Sequence, residues 1–432
     1  MVPASVDGAR PLQVGLHTAS GTPIRQHPVC LGNPVKITDT RVVHLVNTHP
    51  RLPEHISQVV LKVAQRCNLN CSYCYVYNRG DDSWRTRPTY ISPRVAHTLA
   101  QRIKEHCARH GDTSFTVELH GGEPLLLGRA RMQRLVDVIR AGAAPVSIHF
   151  TLQTNGTLLD IDWLEFFARN QISFGLSLDG PPEIADRQRV TRSGDGSTQR
   201  VLDNVADLRA RGHLFDEVFG GCLCVVDPTQ NGAELVDWFV EQGFTAFDFL
   251  LPDGNQANLP DGWTGVEPYT RFLLEAFDHW YSLSAPPRIR LFELMLLGLM
   301  GERPVLDGLG GDLRGLCVVE SDGSIGAHDV MRMCGGVFSQ DTLTVFENSF
   351  DDHAEAYRID AIQRPSATCT SCPWFDACGG GYLPHRFDGV SFDNPSLYCA
   401  ALFALAERMH RALHDDLPSV VWADSQPIEV SG

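Results

Sequence analysis

The chain has no long hydrophobic run. Its longest greasy stretch, Leu291 to Met300, covers ten positions and includes Glu293. That falls well short of the roughly 20 apolar residues that cross a bilayer. The opening MVPASVDGARPLQVGL lacks a basic start followed by an apolar stretch, so no secretory signal is expected. Positive charge is also in short supply: Lys and Arg total 36 against 52 Asp and Glu, a formal charge of −16. This balance disfavours nonspecific binding to nucleic acid or to anionic membranes and leaves peptides and small molecules as the expected partners. Neither internal repeats nor low-complexity tracts occur. The 13 cysteines are an odd number, which argues against a complete disulfide framework. A cytoplasmic chain using cysteine for metal ligation accounts for them better.

Three of those cysteines, Cys67, Cys71 and Cys74, stand within eight residues in CNLNCSYC. Spacings of three and then two residues let three thiolates of one loop converge on three corners of an iron-sulfur cube, leaving the fourth iron without a protein ligand. A structural zinc site of three cysteines and a histidine is the alternative for such a loop. From Gln58 onward strands and helices alternate. Strands are expected at Gln58 to Ala64, Ser114 to His120, Ser147 to Thr154, Ile172 to Leu178, Glu217 to Val226 and Ala246 to Leu251. Helices are expected near 93–108, 130–141, 161–169, 200–211 and 233–242, so the fold class is α/β with a parallel sheet.

The cysteine loop, with Tyr73 before its last cysteine and an apolar strand upstream, resembles the radical S-adenosylmethionine (SAM) enzymes. The resemblance implies a partial (β/α)6 barrel, a 4Fe-4S cluster whose open iron binds SAM, and an electron donor of the flavodoxin or ferredoxin type. It also implies that functional residues sit at the C-terminal ends of the strands. Gly121, Gly122, Glu123 and Pro124 in LHGGEPLL end the second strand and match the family motif that contacts the SAM amino group. Asn155 in QTNG, and Ser177 and Asp179 in SLDG, end the next two strands; they are candidates for contacts to SAM or substrate, with ordinary turn chemistry as the competing account. Arg189 stands where sulfatase-maturase-like proteins carry an arginine after a His-Asp pair, although Ala185 here replaces the histidine. Its guanidinium would pair with the SAM carboxylate.

Near the other end, TCTSCPWFDACGGGYLPHRF places Cys369, Cys372 and Cys378, and Cys399 follows. Four thiolates can close every corner of a cluster, and a zinc ribbon is the alternative. The arrangement resembles a SPASM-type domain, which implies at least one auxiliary 4Fe-4S cluster. A second auxiliary site would draw on Cys317 and Cys334, with His328 as a further ligand. Tyr382 and His328 stand where the family pattern expects cysteines, so that site is read as absent or incomplete. Asp329 matches the aspartate that accepts a proton in the sulfatase-maturing relatives. Cys222 and Cys224 alternate on a strand and are read as core packing, as are Cys30 and Cys107.

The expected organisation is an N-terminal arm (1–55) with a short strand at Arg41 to Val46, a barrel (56–254), a helical connector (255–305), a SPASM-like iron-sulfur domain (306–405), and a helix end and tail (406–432). CNLNCSYCYVYN, CGGGYLPHRF and FDNPSLYCA together look most similar to the FxsB-like radical SAM/SPASM maturases. That likeness implies an enzyme forming a carbon-carbon crosslink, a three-residue cyclophane, in a ribosomally made precursor peptide. Oxidation of serine or cysteine to formylglycine, thioether formation, and a non-catalytic peptide-binding adaptor are the alternatives.

Overall fold

A computed structural model describes residues 55–302, 306–340 and 342–416. Cys30, the strand expected at Arg41 to Val46 and nearly all of the N-terminal arm lie outside the described residues, as does the tail after 416. One sheet organises the rest. Its strands are β1 (Gln58–Ala64), β2 (Ser114–Gly121), β3 (Ser147–Thr154), β4 (Ile172–Ser177), β5 (Phe219–Val225), β6 (Ala246–Leu250), β7 (Arg288–Ile289), β8 (Leu316–Val319), β9 (Ser324–Gly326) and β10 (Leu343–Thr344). The spatial order is β10-β9-β8-β1-β2-β3-β4-β5-β6-β7. Strands β1 to β7 run parallel in sequence order, β8 joins the free edge of β1 in parallel, and β9 and β10 continue antiparallel. The cysteine-rich C-terminal region therefore begins as an extension of the barrel sheet.

Alternation along the strands sorts the residues into two faces. Val59, Leu61 and Val63 of β1 and Phe115, Val117 and Leu119 of β2 are buried against the helices. At about 1.5–3 kcal/mol for each fully buried large apolar side chain, this face is the main source of stability. The opposite parity is polar at intervals: Lys62 pairs in register with His120, and Glu118 with Thr151. Those residues face the concave interior, and Glu118, His120 and Thr151 line its cavity. Such a polar stripe has no packing role and is expected only where a ligand or another polar group meets it.

Helices α1 (Pro93–His110), α2 (Arg129–Ala143), α3 (Ile161–Asn170), α4 (Thr198–Ala210) and α5 (Gly232–Glu241) cover the outer face. Helix α1 starts where the Ser92 side chain accepts the Val95 amide at 3.2 Å and Pro93 takes the first position. It stops at Gly111, whose φ of 80° continues the chain in the left-handed region. Helices α6 (Glu267–Ser282) and α7 (Arg290–Leu299) occupy the expected connector, and α8 (Cys399–Asp416) packs against both. Among the described residues no helix is long and apolar enough to cross a membrane.

Candidate active site

The cysteine loop leaves the C-terminal end of β1 and is clamped from two directions. The Asn70 amide donates to the Val190 carbonyl at 2.8 Å, Ser72 N to Gln188 O at 3.1 Å, and Arg192 Nε to Cys67 O at 2.8 Å. From β3, Asn155 Nδ2 donates to Asn68 Oδ1 at 3.0 Å and approaches Cys67 Sγ at 3.7 Å. Tight turns within the loop, Cys74 N to Cys71 O at 3.1 Å and Asn78 N to Cys74 O at 2.8 Å, bring the three thiols to one side. All three line a cavity of about 1130 Å³ at the C-terminal end of the sheet.

The glycines of LHGGEPLL serve this loop directly. Gly122 N donates to Ala64 O at 2.8 Å and Glu123 N to Arg66 O at 3.0 Å, so the end of β2 lies flush against the start of the loop. A Cβ on Gly121 would overlap the Ala64 carbonyl, and one on Gly122 would overlap both the Arg66 carbonyl and Tyr77 Oη. Gly122→Ala is therefore expected to displace the loop, lowering bound iron and cutting SAM cleavage at least about tenfold, roughly 1.4 kcal/mol. Iron analysis together with 5'-deoxyadenosine measurement checks this; unchanged iron and unchanged cleavage would refute it.

Glu123 is buried, and its carboxylate accepts from Leu125 N at 3.1 Å, Thr154 Oγ1 at 2.7 Å and Asn155 N at 2.8 Å. Burial pushes its carboxyl up to about 7 against these hydrogen bonds. Three of its roughly four acceptor positions are thus taken within the protein, leaving one for a ligand in the cavity it lines. Pro124 is buried and opens the 3-10 turn Pro124–Leu127. Asn155 is fully used: its carbonyl oxygen accepts from Thr157 N at 3.0 Å and Thr157 Oγ1 at 2.7 Å, so it acts on the cysteine loop. Ser177 accepts from Gln153 Nε2 at 2.8 Å and borders the cavity.

Tyr73, Asp179 and Arg189, separated in sequence, meet as one buried unit. Tyr73 Oη donates to Asp179 Oδ2 at 2.5 Å, and Arg189 Nη1 donates to Tyr73 Oη at 2.6 Å and lies 3.6 Å from Asp179 Oδ2. Asp179 Oδ1 also accepts from Val225 N at 3.0 Å. Burial works against the Arg189 charge, but Tyr73 and Asp179 outweigh it and keep the guanidinium firmly protonated at the cavity wall.

Beside the loop stands a network of which the sequence singled out only His328 and Asp329. Lys62 Nζ lies 2.8 Å from Asp329 Oδ2, 3.2 Å from Tyr75 Oη and 3.0 Å from His120 Nδ1. Tyr75 Oη donates to the same Asp329 oxygen. His328 Nδ1 is 3.1 Å from Asp329 Oδ1, and His328 Nε2 is 3.7 Å from Asp307 Oδ2. Burial alone would raise the Asp329 carboxyl, but Lys62 and His328 overcome it and hold it well below the usual carboxylate range. Burial likewise opposes charge on His328, which the two aspartates nevertheless push up to about 10. Burial, aided by Lys62, drives His120 down to about 3. The signal for Lys62, Glu118 and His120 is in the sequence, as polar residues at alternate positions of otherwise apolar strands.

In the C-terminal region, Cys369 belongs to the helical turn Ala367–Thr370, Cys378 ends the turn Phe375–Cys378, and Cys399 begins α8. Cys378 is pushed up to about 12 by burial first and then by Cys372, Cys399 and Cys369, so the four thiols sit close enough to feel one another. Gly379, Gly380 and Gly381 follow with φ of 56°, 88° and 75°, a left-handed run that wraps the chain past Cys369 and that side chains would strain. Cys317 is different. It is wholly buried in the apolar core, where burial alone raises its thiol. Cys334 meets Asn255 Nδ2 at 3.9 Å and Asp253 but feels no other thiol. The structure thus does not gather Cys317, Cys334 and His328 as one ligand set; His328 is committed to the Asp329 network. Cys107, Cys222 and Cys224 are core residues, as expected.

Among the described residues neither cysteine set brings three ligand atoms within 4.8 Å of one another. Burial pushes Cys67 up to about 12 and Cys74 up to about 11, so both thiols stay protonated near neutral pH until a metal displaces the proton.

Comparison with known proteins agrees with this geometry. Residues 61–238 match the model of the Radical SAM superfamily. The chain is 25% identical over 365 residues to the cysteine-type anaerobic sulfatase-maturating enzyme of Clostridium novyi (strain NT), covering 82% of this chain and 95% of that protein. It is 24% identical over 363 residues to the serine-type anaerobic sulfatase-maturating enzyme of Bacteroides thetaiotaomicron, covering 78% and 85%. Among solved structures, native anSMEcpe with bound AdoMet superposes with a TM-score of 0.69 at 25% identity, covering 84% of this chain and 100% of that one. The match to the Radical SAM superfamily model implies a 4Fe-4S cluster and SAM as the cofactors.

Proposed function

We propose that this enzyme, whose residues 61–238 match the Radical SAM superfamily model, oxidises the β-carbon of a serine or cysteine in a peptide or protein substrate to an aldehyde, in the manner of the sulfatase-maturating enzymes it resembles. The observation that carries this reading is that the ionised Asp329 lines the same cavity as the three cysteines and is hydrogen-bonded by Tyr75, the residue after Cys74. When bound, the cluster and SAM supply the radical that removes a hydrogen atom from carbon.

The protein's own residues do the rest. Glu123 and the Arg189–Tyr73–Asp179 unit present one acceptor and one fixed cation at the cavity wall, where they would hold SAM's amino and carboxylate groups. Once the β-carbon has lost a hydrogen atom, the neighbouring O–H or S–H is more acidic than in the intact side chain, and the ionised Asp329 takes that proton in exchange for one of the four donors it now faces. Cys369, Cys372, Cys378 and Cys399 would hold an auxiliary cluster, which would supply an acceptor for the remaining electron. For serine the balance is two hydrogens lost; for cysteine the thioaldehyde so formed takes up water and releases hydrogen sulfide.

The cyclophane reaction expected from the sequence motifs starts from the same β-carbon, and the similarity to both kinds of sulfatase-maturating enzyme over most of the chain puts it second. The anaerobically reconstituted enzyme, given a reductant, SAM and a sulfatase-type peptide, is expected to yield a product that a hydrazide probe captures. A peptide that loses two hydrogens, resists fragmentation across an aromatic segment and escapes the probe would overturn the aldehyde reading in favour of the crosslink.

A further inference from the structure

At the opposite end of the strands, removed from the cysteine loop by the length of β2, roughly 23 Å at the usual rise per residue, two imidazoles meet one carboxylate. His106 and His110 lie one turn apart in α1 and share a face. Asp351 reaches them from just beyond β10, in the C-terminal region. None of these residues borders the cavity described above.

His106 is the informative member. Its Nε2 lies 2.8 Å from the Ile56 carbonyl, which can only accept, so in the neutral ring Nε2 carries the proton and Nδ1 keeps a lone pair. The ring is 3% exposed and stands edge-on to Phe350 with centroids 5.7 Å apart, surroundings that disfavour a charged imidazolium. Nδ1 points at Asp351 Oδ1 from 3.0 Å, yet it makes no hydrogen bond to any described residue. Two acceptors facing each other at that distance repel unless a cation lies between them. His110 Nε2 is 2.6 Å from the same oxygen, and the three ligand atoms all fall within 4.8 Å of one another.

We propose that His106 Nδ1, His110 Nε2 and Asp351 Oδ1 bind a divalent cation of the zinc class, with water as the fourth ligand. Two imidazoles and one carboxylate are a donor set for zinc, whereas calcium takes six to eight oxygens. The supporting contacts are present: Ile56 fixes the His106 ring, and His55 stacks on His110 at 4.0 Å while hydrogen-bonding Asp112 at 2.7 Å. Arg109 pairs with the other Asp351 oxygen and leaves Oδ1 for the ion. Such an ion would tie the first barrel helix to the cysteine-rich region.

The test uses the holoenzyme with its clusters loaded, so that the cysteines are occupied. After exposure to micromolar Zn2+ and desalting, about one equivalent of zinc per chain is expected by mass spectrometry, with a raised unfolding temperature. Zinc-edge X-ray absorption is expected to show only nitrogen and oxygen neighbours. Asp351→Asn and His110→Ala, both at partly exposed side chains, are expected to weaken zinc binding about 10–100-fold while leaving iron content unchanged. No retained zinc in the wild type, sulfur in the zinc shell at about 2.3 Å, or undiminished zinc in both variants would each overturn the proposal.

Discussion

Asp329→Asn is expected to leave SAM cleavage within about threefold of wild type and to lower formation of modified peptide by roughly 10²–10⁴, the usual range for loss of a general base. The substitution keeps the shape of the side chain and removes its charge. In the native network Oδ2 takes hydrogen bonds from Lys62 at 2.8 Å and from Tyr75, while Oδ1 takes one from Val330 N at 3.0 Å and faces His328 at 3.1 Å. Neutral asparagine cannot accept the substrate proton, and it leaves the buried Lys62 without its counter-charge, at a cost of about 3–5 kcal/mol. Lys62→Met combined with Asp329→Asn removes both charges and is expected to restore stability but not product. 5'-Deoxyadenosine and modified peptide measured in the same reaction separate the two roles. Product formed at the wild-type rate would eliminate Asp329 as the base, and a parallel fall in both quantities would make it a structural residue.

The strands that carry this site were readable because each is a short, alternating or wholly apolar run bounded by turn residues. The expected Gln58 to Ala64 and Ser147 to Thr154 coincide with β1 and β3. The strand expected from Glu217 starts two residues later, at Phe219, because Leu214–Val218 closes a helical turn that burial of Phe215 and Val218 holds in place. Pairing of β8 with β1 joins segments more than 250 residues apart and left no local signature. The same holds for the Lys62–Asp329 pair, whose partners come from the two ends of the fold. Cysteine spacing was legible because a cluster demands it locally. The partners of Glu123, Asn155 and Arg189 were not, since Glu123 and Asn155 follow different strands, Arg189 lies in the loop beyond β4, and only the assembled sheet brings them to their partners. Gly121 and Gly122 were placed in the motif that contacts the SAM amino group, yet the close approach they permit is to the loop that holds the thiols. Alternate polar positions in β1 and β2 were the one unused sequence signal that would have pointed to the interior network.

Cys71→Ala is expected to abolish SAM cleavage, a loss of more than about a thousandfold or about 4 kcal/mol, whereas Cys378→Ala is expected to retain SAM cleavage and lose product. The contrast follows from where the two thiol sets lie. Cys67, Cys71 and Cys74 leave the end of β1 and border the cavity, and with two thiolates left a cube is bound at only two corners. Hydrogen bonds from Asn155 and Arg192 hold the Cys67 end of the loop whether or not the cluster is present, so the alanine variant should remain folded and fail only in chemistry. The C-terminal set stands apart on short turns and the start of α8, and only Cys378 ends in the left-handed glycine run. Losing it removes one corner of a closed cluster whose assigned task is to receive an electron after hydrogen abstraction, so radical generation continues while turnover stops. Iron content per chain, 5'-deoxyadenosine and peptide product, measured on both variants, decide the matter. If Cys378→Ala made product at the wild-type rate, the electron would have to leave by another route, and the C-terminal cysteines would be a structural cluster only.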